Sequence, residues 1–82
     1  MNIEELEQPI IGNVIKALRL ELKLSQEKFA SELGVSFTSL NRWENHKTMP
    51  STLALKILSQ HLQQLDDQGH QIVKHILTKE HD

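Results

Sequence analysis

The stretch that decides the fold is Leu24-Ser25-Gln26-Glu27-Lys28-Phe29-Ala30-Ser31-Glu32-Leu33-Gly34-Val35-Ser36-Phe37-Thr38-Ser39-Leu40-Asn41-Arg42-Trp43-Glu44-Asn45. It reads as two short helices joined by a tight turn. Ser25 is a good N-cap, Glu27 suits the positive end of the helix that follows, and Phe29, Ala30 and Leu33 form an inward stripe. Gly34 ends that helix, since glycine takes the left-handed backbone of a C-terminal cap without a Cβ clash. Val35 plugs the turn, Ser36 caps a second helix with Leu40 and Trp43 inward, and Asn45 and His46 mark its end.

Outward from this pair the helical period continues. Pro9 suits the first turn of a helix, and Ile11, Ile15, Leu18 and Leu22 follow at spacings of four, three and four. On the far side, Pro50 and Ser51 open a fourth segment whose stripe is Leu53, Ile57, Leu58, Leu62 and Leu65, broken by Asp66, Asp67 and Gly69. Ile72, Val73, Ile76 and Leu77 make a compact stripe on a final helix. No stretch alternates apolar and polar residues as a half-buried strand does. The expected fold class is all-α with five helices. Residues 1–9 read as an acidic N-terminal arm, 10–66 as the main domain and 69–79 as a C-terminal helix. The first eight or so residues and the last three are expected to fray.

Composition bounds the function. A chain of 82 residues, 38% apolar and 24% charged, holds about one small helix-rich domain. It has no cysteine, which removes disulfides, thiol nucleophiles and cysteine-type zinc sites. No apolar run approaches the roughly 20 residues of a membrane span, and Glu4, Glu5 and Glu7 stand where a signal peptide carries bases. A cytoplasmic protein is expected. The histidines His46, His61, His70, His75 and His81 lack the spacing that would set them on one helical face as metal ligands, so no metal or other cofactor is expected. Neither a nucleophile–base order nor a phosphate loop is present, so no enzyme is expected.

The net charge of −2 conceals a segregated pattern. Residues 1–10 carry three acids and no base. Residues 11–60 carry Lys16, Arg19, Lys23, Lys28, Arg42, Lys47 and Lys56 against Glu21, Glu27, Glu32 and Glu44, a net of +3. Residues 61–82 return to −2, with Lys74 and Lys79 against Asp66, Asp67, Glu80 and Asp82. Two readings fit a basic centre between acidic ends: charges decorating a solvated surface, or a footprint for a polyanion.

Read together, Ile15-Lys16-x-Leu18-Arg19, Leu24-Ser25-Gln26-Glu27-x-Phe29-Ala30, Leu33-Gly34-Val35-Ser36, Leu40-x-x-Trp43-Glu44-Asn45 and Pro50 follow one another without a gap. In order and spacing they resemble the Cro/phage-repressor type of helix-turn-helix domain, the XRE family, over rather more than half the chain. The resemblance implies a five-helix lambda-repressor-like fold and a sequence-specific, double-stranded-DNA-binding transcriptional regulator, most simply a repressor, that associates with the nucleoid when bound. The helix from Ser36 would enter the major groove.

Rotation of about 100° per residue puts Thr38, Asn41, Arg42 and Asn45 on an arc opposite Leu40 and Trp43. Arg42 can present a two-pronged donor to guanine, Asn41 can pair with an adenine edge, and Thr38 can touch base or phosphate. Phe37 beside them either packs on a thymine methyl or folds back onto the domain. The resemblance implies phosphate contacts by Gln26, Asn45 and Lys47, the alternative for Gln26 being a plain surface residue. It also implies that Arg19 and Glu44 pair beneath the recognition helix, with Trp43 as core. Family members commonly place glycine or asparagine where Lys23 stands and glycine where His46 stands, both positions that suit positive φ, so either His46 is mildly strained or its loop is shaped differently, and the phosphate loop is where this chain departs from the pattern.

Two-fold operators call for a symmetric dimer, which makes the Ile72–Leu77 stripe either the last part of the core or a homodimer seam. Free-standing domains of this kind also resemble the antitoxins of toxin–antitoxin pairs, which adds a toxin as an alternative protein partner. The rival class is a protein-interaction module that keeps the fold without DNA binding.

Overall fold

Three serines start three helices. Ser25, Ser36 and Ser51 each hold extended backbone, and each Oγ accepts the N–H three residues on, from Lys28 at 3.1 Å, Ser39 at 3.0 Å and Ala54 at 3.1 Å. They open α2 (Gln26–Leu33), α3 (Phe37–Glu44) and α4 (Thr52–Gln64). Such a cap contributes about 1 kcal/mol by satisfying a donor that the helix itself cannot. Pro9 precedes α1 (Ile10–Glu21) and offers no side-chain acceptor, so the Gln8 carboxamide takes the Gly12 N–H instead, at 2.9 Å. A 3-10 turn at Ile3–Glu5 lies before α1, and α5 (Asp67–Glu80) ends the fold. This computed structural model describes residues 3–80; among them there is no strand, and no helix is long and apolar enough to cross a membrane.

The chain reverses after each of the first three helices by one device. Lys23 (φ +60°), Gly34 (+73°) and His46 (+64°) take left-handed backbone. In each case that residue and the next donate back into the last turn. Leu24 bonds Arg19 O at 3.1 Å, Val35 bonds Ala30 O at 3.0 Å and Lys47 bonds Arg42 O at 2.9 Å. Lys23 and His46 therefore both hold the positive φ that their positions suit.

The core gathers Ile11, Val14, Ile15 and Leu18 of α1, Phe29, Ala30 and Leu33 of α2, Leu40 and Trp43 of α3, and Ala54, Leu55, Leu58 and Leu62 of α4. Leu18, Phe29, Leu40 and Leu58 are wholly buried, each contributing about 1.5–3 kcal/mol of transfer free energy. His61 meets the Phe29 ring edge-on, centroids 6.0 Å apart, and its Nδ1 lies 3.0 Å from Ile57 O.

Three details differ from the sequence expectation. Leu53 is 68% exposed, and Leu55 takes its place inside, so the buried face of α4 is rotated from the one the leucine spacing suggests. Gly69 lies within α5 rather than ending a helix. A Cβ there would collide with Leu62 O, so the absent side chain lets α5 lie against α4, and the reversal falls to Asp66 at φ +51°. Residues 3–8 do not fray: Ile3 is 2% exposed against α4. The expected fraying of Met1, Asn2, His81 and Asp82 lies outside the described residues. On α5, Val73 and Ile76 are buried against α1 and α4 within the one chain, while Ile72 and Leu77 remain half-buried.

Candidate nucleic-acid interface

The short turn Gly34–Ser36 leaves α3 leaning on α2 and α1 with only one face inward. Leu40 and Trp43 occupy that face and are buried. Thr38 and Arg42 lie on the opposite face and are exposed, as is Asn45 just past the helix, with Asn41 half-buried between them. The side chains of Arg42, Thr38 and Lys47 have no hydrogen-bond or ion-pair partner among the described residues, so their polar ends are free for a ligand. Phe37 is 46% exposed and forms no part of the core, so it stands at the edge of this arc rather than folding back.

Beneath the arc lies a continuous polar chain. Arg19 Nε donates to Glu44 Oε2 at 2.8 Å and Nη2 to Oε1 at 3.0 Å, while Nη1 donates to Leu24 O at 3.0 Å. The guanidinium therefore satisfies Glu44, the one buried acid among the described side chains, and the Leu24 carbonyl that follows α1. The hydrogen bonds that Arg19 donates to Glu44 raise the Arg19 pKa above its ordinary value; burial opposes this, and the carboxylate's charge reinforces it. Because the shift is upward, the stabilising contribution of the Arg19 charge is complete below the ordinary arginine pKa and is lost only as pH rises through the raised value.

Gln26 extends the chain to the surface. Its Nε2 donates to Glu44 Oε1 at 3.1 Å, and its Oε1 accepts from Asn41 Nδ2 at 3.2 Å. Asn41 in turn accepts from Asn45 Nδ2 through both its backbone oxygen, at 2.8 Å, and its Oδ1, at 3.2 Å. Gln26 is thus no plain surface residue. It sits at the first position of α2, with its carboxamide held between the buried Glu44 carboxylate and Asn41 of α3. One Nε2 hydrogen stays free, beside the unpaired N–H groups of the α2 terminus where an anion is favoured.

The loop after α3 is equally determined. His46 keeps its left-handed backbone with Nε2 2.9 Å from Asn13 Oδ1, and Lys47 projects into solvent. The residues named from sequence are therefore brought together on one side: Gln26 at the start of α2, Phe37, Thr38, Asn41 and Arg42 along α3, and Asn45 and Lys47 just beyond it. Arg19, Glu44 and Trp43 lie behind them.

Two residues of this region escape a sequence reading. Gly12 would, as alanine, drive its Cβ into Trp43 O and to 2.7 Å from His46 Cδ2, so α1 touches the end of α3 through bare backbone. A glycine inside an apolar helical stripe is a signal for such an approach. Gln8 reaches Trp43 O at 3.0 Å and Thr48 O at 2.9 Å, and nothing in its local sequence announces it.

No curated protein and no solved structure matches the chain at a significant level. A family model described as HTH_3, helix-turn-helix, matches residues 15–67, well over half the chain, and that span contains α2, the turn, α3 and α4. With an all-helical fold and an exposed polar face on the second helix of the pair, the chain belongs to the Cro/C1-type (XRE) family of helix-turn-helix DNA-binding proteins.

Proposed function

We propose that the protein is a sequence-specific transcriptional repressor that occupies a two-fold operator as a homodimer, with α3 of each copy in the major groove. Arg42 reads guanine through its two-pronged donor, Asn41 reads an adjacent adenine, Thr38 touches base or phosphate, and Phe37 packs on a thymine methyl. Gln26, Asn45 and Lys47 hold the backbone on either side and set the register. The observation that carries the reading is the division of α3. Its inner face is locked by Leu40, Trp43 and the Arg19–Glu44 pair, while Thr38 and Arg42 on its outer face are exposed and uncommitted.

A dimer is supported by the apolar surface where α1 meets α5. Leu20 is 57% exposed there, beside Ala17 and Ile72, in shallow clefts floored by Ile76. In this reading the seam is shared between α1 and α5 rather than confined to Ile72–Leu77. The work of such a regulator lies inside the cell, on the nucleoid.

The test is selection of bound fragments from a random duplex pool, repeated over a salt series. Enrichment of a two-fold site, with affinity falling steeply as salt rises, is expected. A pool that emerges unenriched contradicts the reading. It would favour a second one, a protein-interaction module of the antitoxin kind, for which the exposed Phe37, Met49 and Leu53 offer an apolar contact surface.

A further inference from the structure

We propose that Gln8 is a positioning residue for DNA binding. Its carboxamide clamps both ends of the loop that follows the recognition helix to the start of α1, and so sets where that loop meets the phosphate backbone. The proposal rests on the reading that Asn45 and Lys47 contact phosphate.

The geometry uses both donors of a primary amide and one of the two acceptor sites on its oxygen. Gln8 Nε2 donates one hydrogen to Trp43 O at 3.0 Å and the other to Thr48 O at 2.9 Å, while Oε1 accepts the Gly12 N–H at 2.9 Å. The amide orientation is dictated by these partners: turned over, its oxygen would face two carbonyl oxygens and its nitrogen an N–H. No other side chain of this length can replace it. Glutamate only accepts, lysine only donates and methionine does neither in any strength.

The two carbonyls bracket the segment Glu44–Lys47. Trp43 lies in the last turn of α3 and Thr48 follows Lys47, so the clamp closes across the C-terminus of the recognition helix and the loop tip. Gly12 makes the approach possible, since its Cβ would fall 2.8 Å from Gln8 Oε1 and 2.7 Å from His46 Cδ2. Asn13 grips the same loop through His46. Gln8 is itself held, because the segment before it is anchored by buried Ile3 and half-buried Leu6. The loop is thus pinned from α1 on its inner side, while Asn45 and Lys47 face outward.

Two roles can be separated: a clamp on the loop, and a simple cap for α1. Gln8→Glu preserves the acceptor for Gly12 and places a favourable negative charge at a helix N-terminus, yet sets a carboxylate oxygen against the two loop carbonyls. Gln8→Ala removes both roles. The experiment measures, for the full chain and both variants, affinity for the selected duplex and for random duplex across a salt series. It also measures backbone amide exchange in the free protein.

With a clamp, Gln8→Glu resembles Gln8→Ala. Both lose about tenfold in affinity on specific and random duplex alike, with a salt slope shallower by about one contact. Exchange at His46 and Lys47 quickens about tenfold or more, while amides of α4 and α5 keep their protection. Gln8→Glu binding as the parent does would overturn the clamp, as would exchange that quickens equally in α4 and α5. Failure of the parent protein to bind any duplex would overturn the DNA reading and the phosphate role with it, whatever the exchange shows.

Discussion

Arg19 and Glu44, 25 residues apart, meet in a two-pronged ion pair beneath the recognition helix, with Nε–Oε2 at 2.8 Å and Nη2–Oε1 at 3.0 Å. Both side chains are largely withdrawn from water, so the pair adds little net stability, yet removal of either member strands a charge in a poorly hydrated site. Its second effect is orientation. Glu44 also accepts from Gln26, which accepts from Asn41, so the pair fixes both the end of α3 and the carboxamide that opens α2.

Glu44→Ala and Arg19→Ala should each destabilise the fold by about 3 kcal/mol or more, measured by urea unfolding. The double variant Arg19→Met/Glu44→Leu should recover much of that loss while leaving DNA affinity impaired, because Gln26 has lost its anchor. Single variants within 1 kcal/mol of the parent would show that the pair is solvated in practice.

Lys23→Gly should stabilise the protein by up to about 1 kcal/mol, because Lys23 is exposed, makes no side-chain bond and pays the left-handed penalty at φ +60°. Thermal unfolding checks the sign. A destabilised variant would mean that the stem of Lys23 packs in a way that outweighs its backbone.

Gly12→Ala and Gly69→Ala should each cost about 1–3 kcal/mol or more, since both Cβ positions fall on a backbone carbonyl, of Trp43 and of Leu62, that cannot rotate away. The two should differ in consequence. Gly12→Ala displaces the end of α3 and should depress DNA affinity beyond its effect on stability, whereas Gly69→Ala strains the α4–α5 contact, far from the recognition face. Equal effects on affinity at matched stability would contradict that difference.

Leu20→Lys should leave monomer stability within about 0.5 kcal/mol, the range for an exposed site, and shift sedimentation from dimer toward monomer. Operator affinity should fall with it. A variant that sediments as the parent does would move the seam away from the α1–α5 surface.

Ser25, Gly34, Ser36 and Ser51 act through their own nearest backbone, so their chemistry predicts caps and turns that the structure contains. Thr38 and Arg42 follow from the same start, because Ser36 fixes the phase of α3 and the outward arc comes with it. Leu53 misleads because leucine spacing on a helix rich in leucine admits more than one phase, and packing against α2 and α5 selects the one that buries Leu55. Gly69 misleads because a glycine can end a helix or allow another backbone to come close, and only the position of Leu62 decides between these. Gln8 and the grip of Arg19 on Leu24 O depend on carbonyls brought near by the tertiary fold, which no local pattern encodes.

The most direct measurement of the central claim is a double-mutant cycle on the selected operator. The parent and Arg42→Ala are each titrated with that operator and with a duplex in which its contacted guanine is replaced. The account predicts that Arg42→Ala loses about 1–3 kcal/mol on the operator, little on the substituted duplex, and so most of its preference for guanine. Gln26→Ala, as control, should weaken both duplexes alike. An Arg42→Ala protein that discriminates between the two duplexes as well as its parent would contradict major-groove reading by α3.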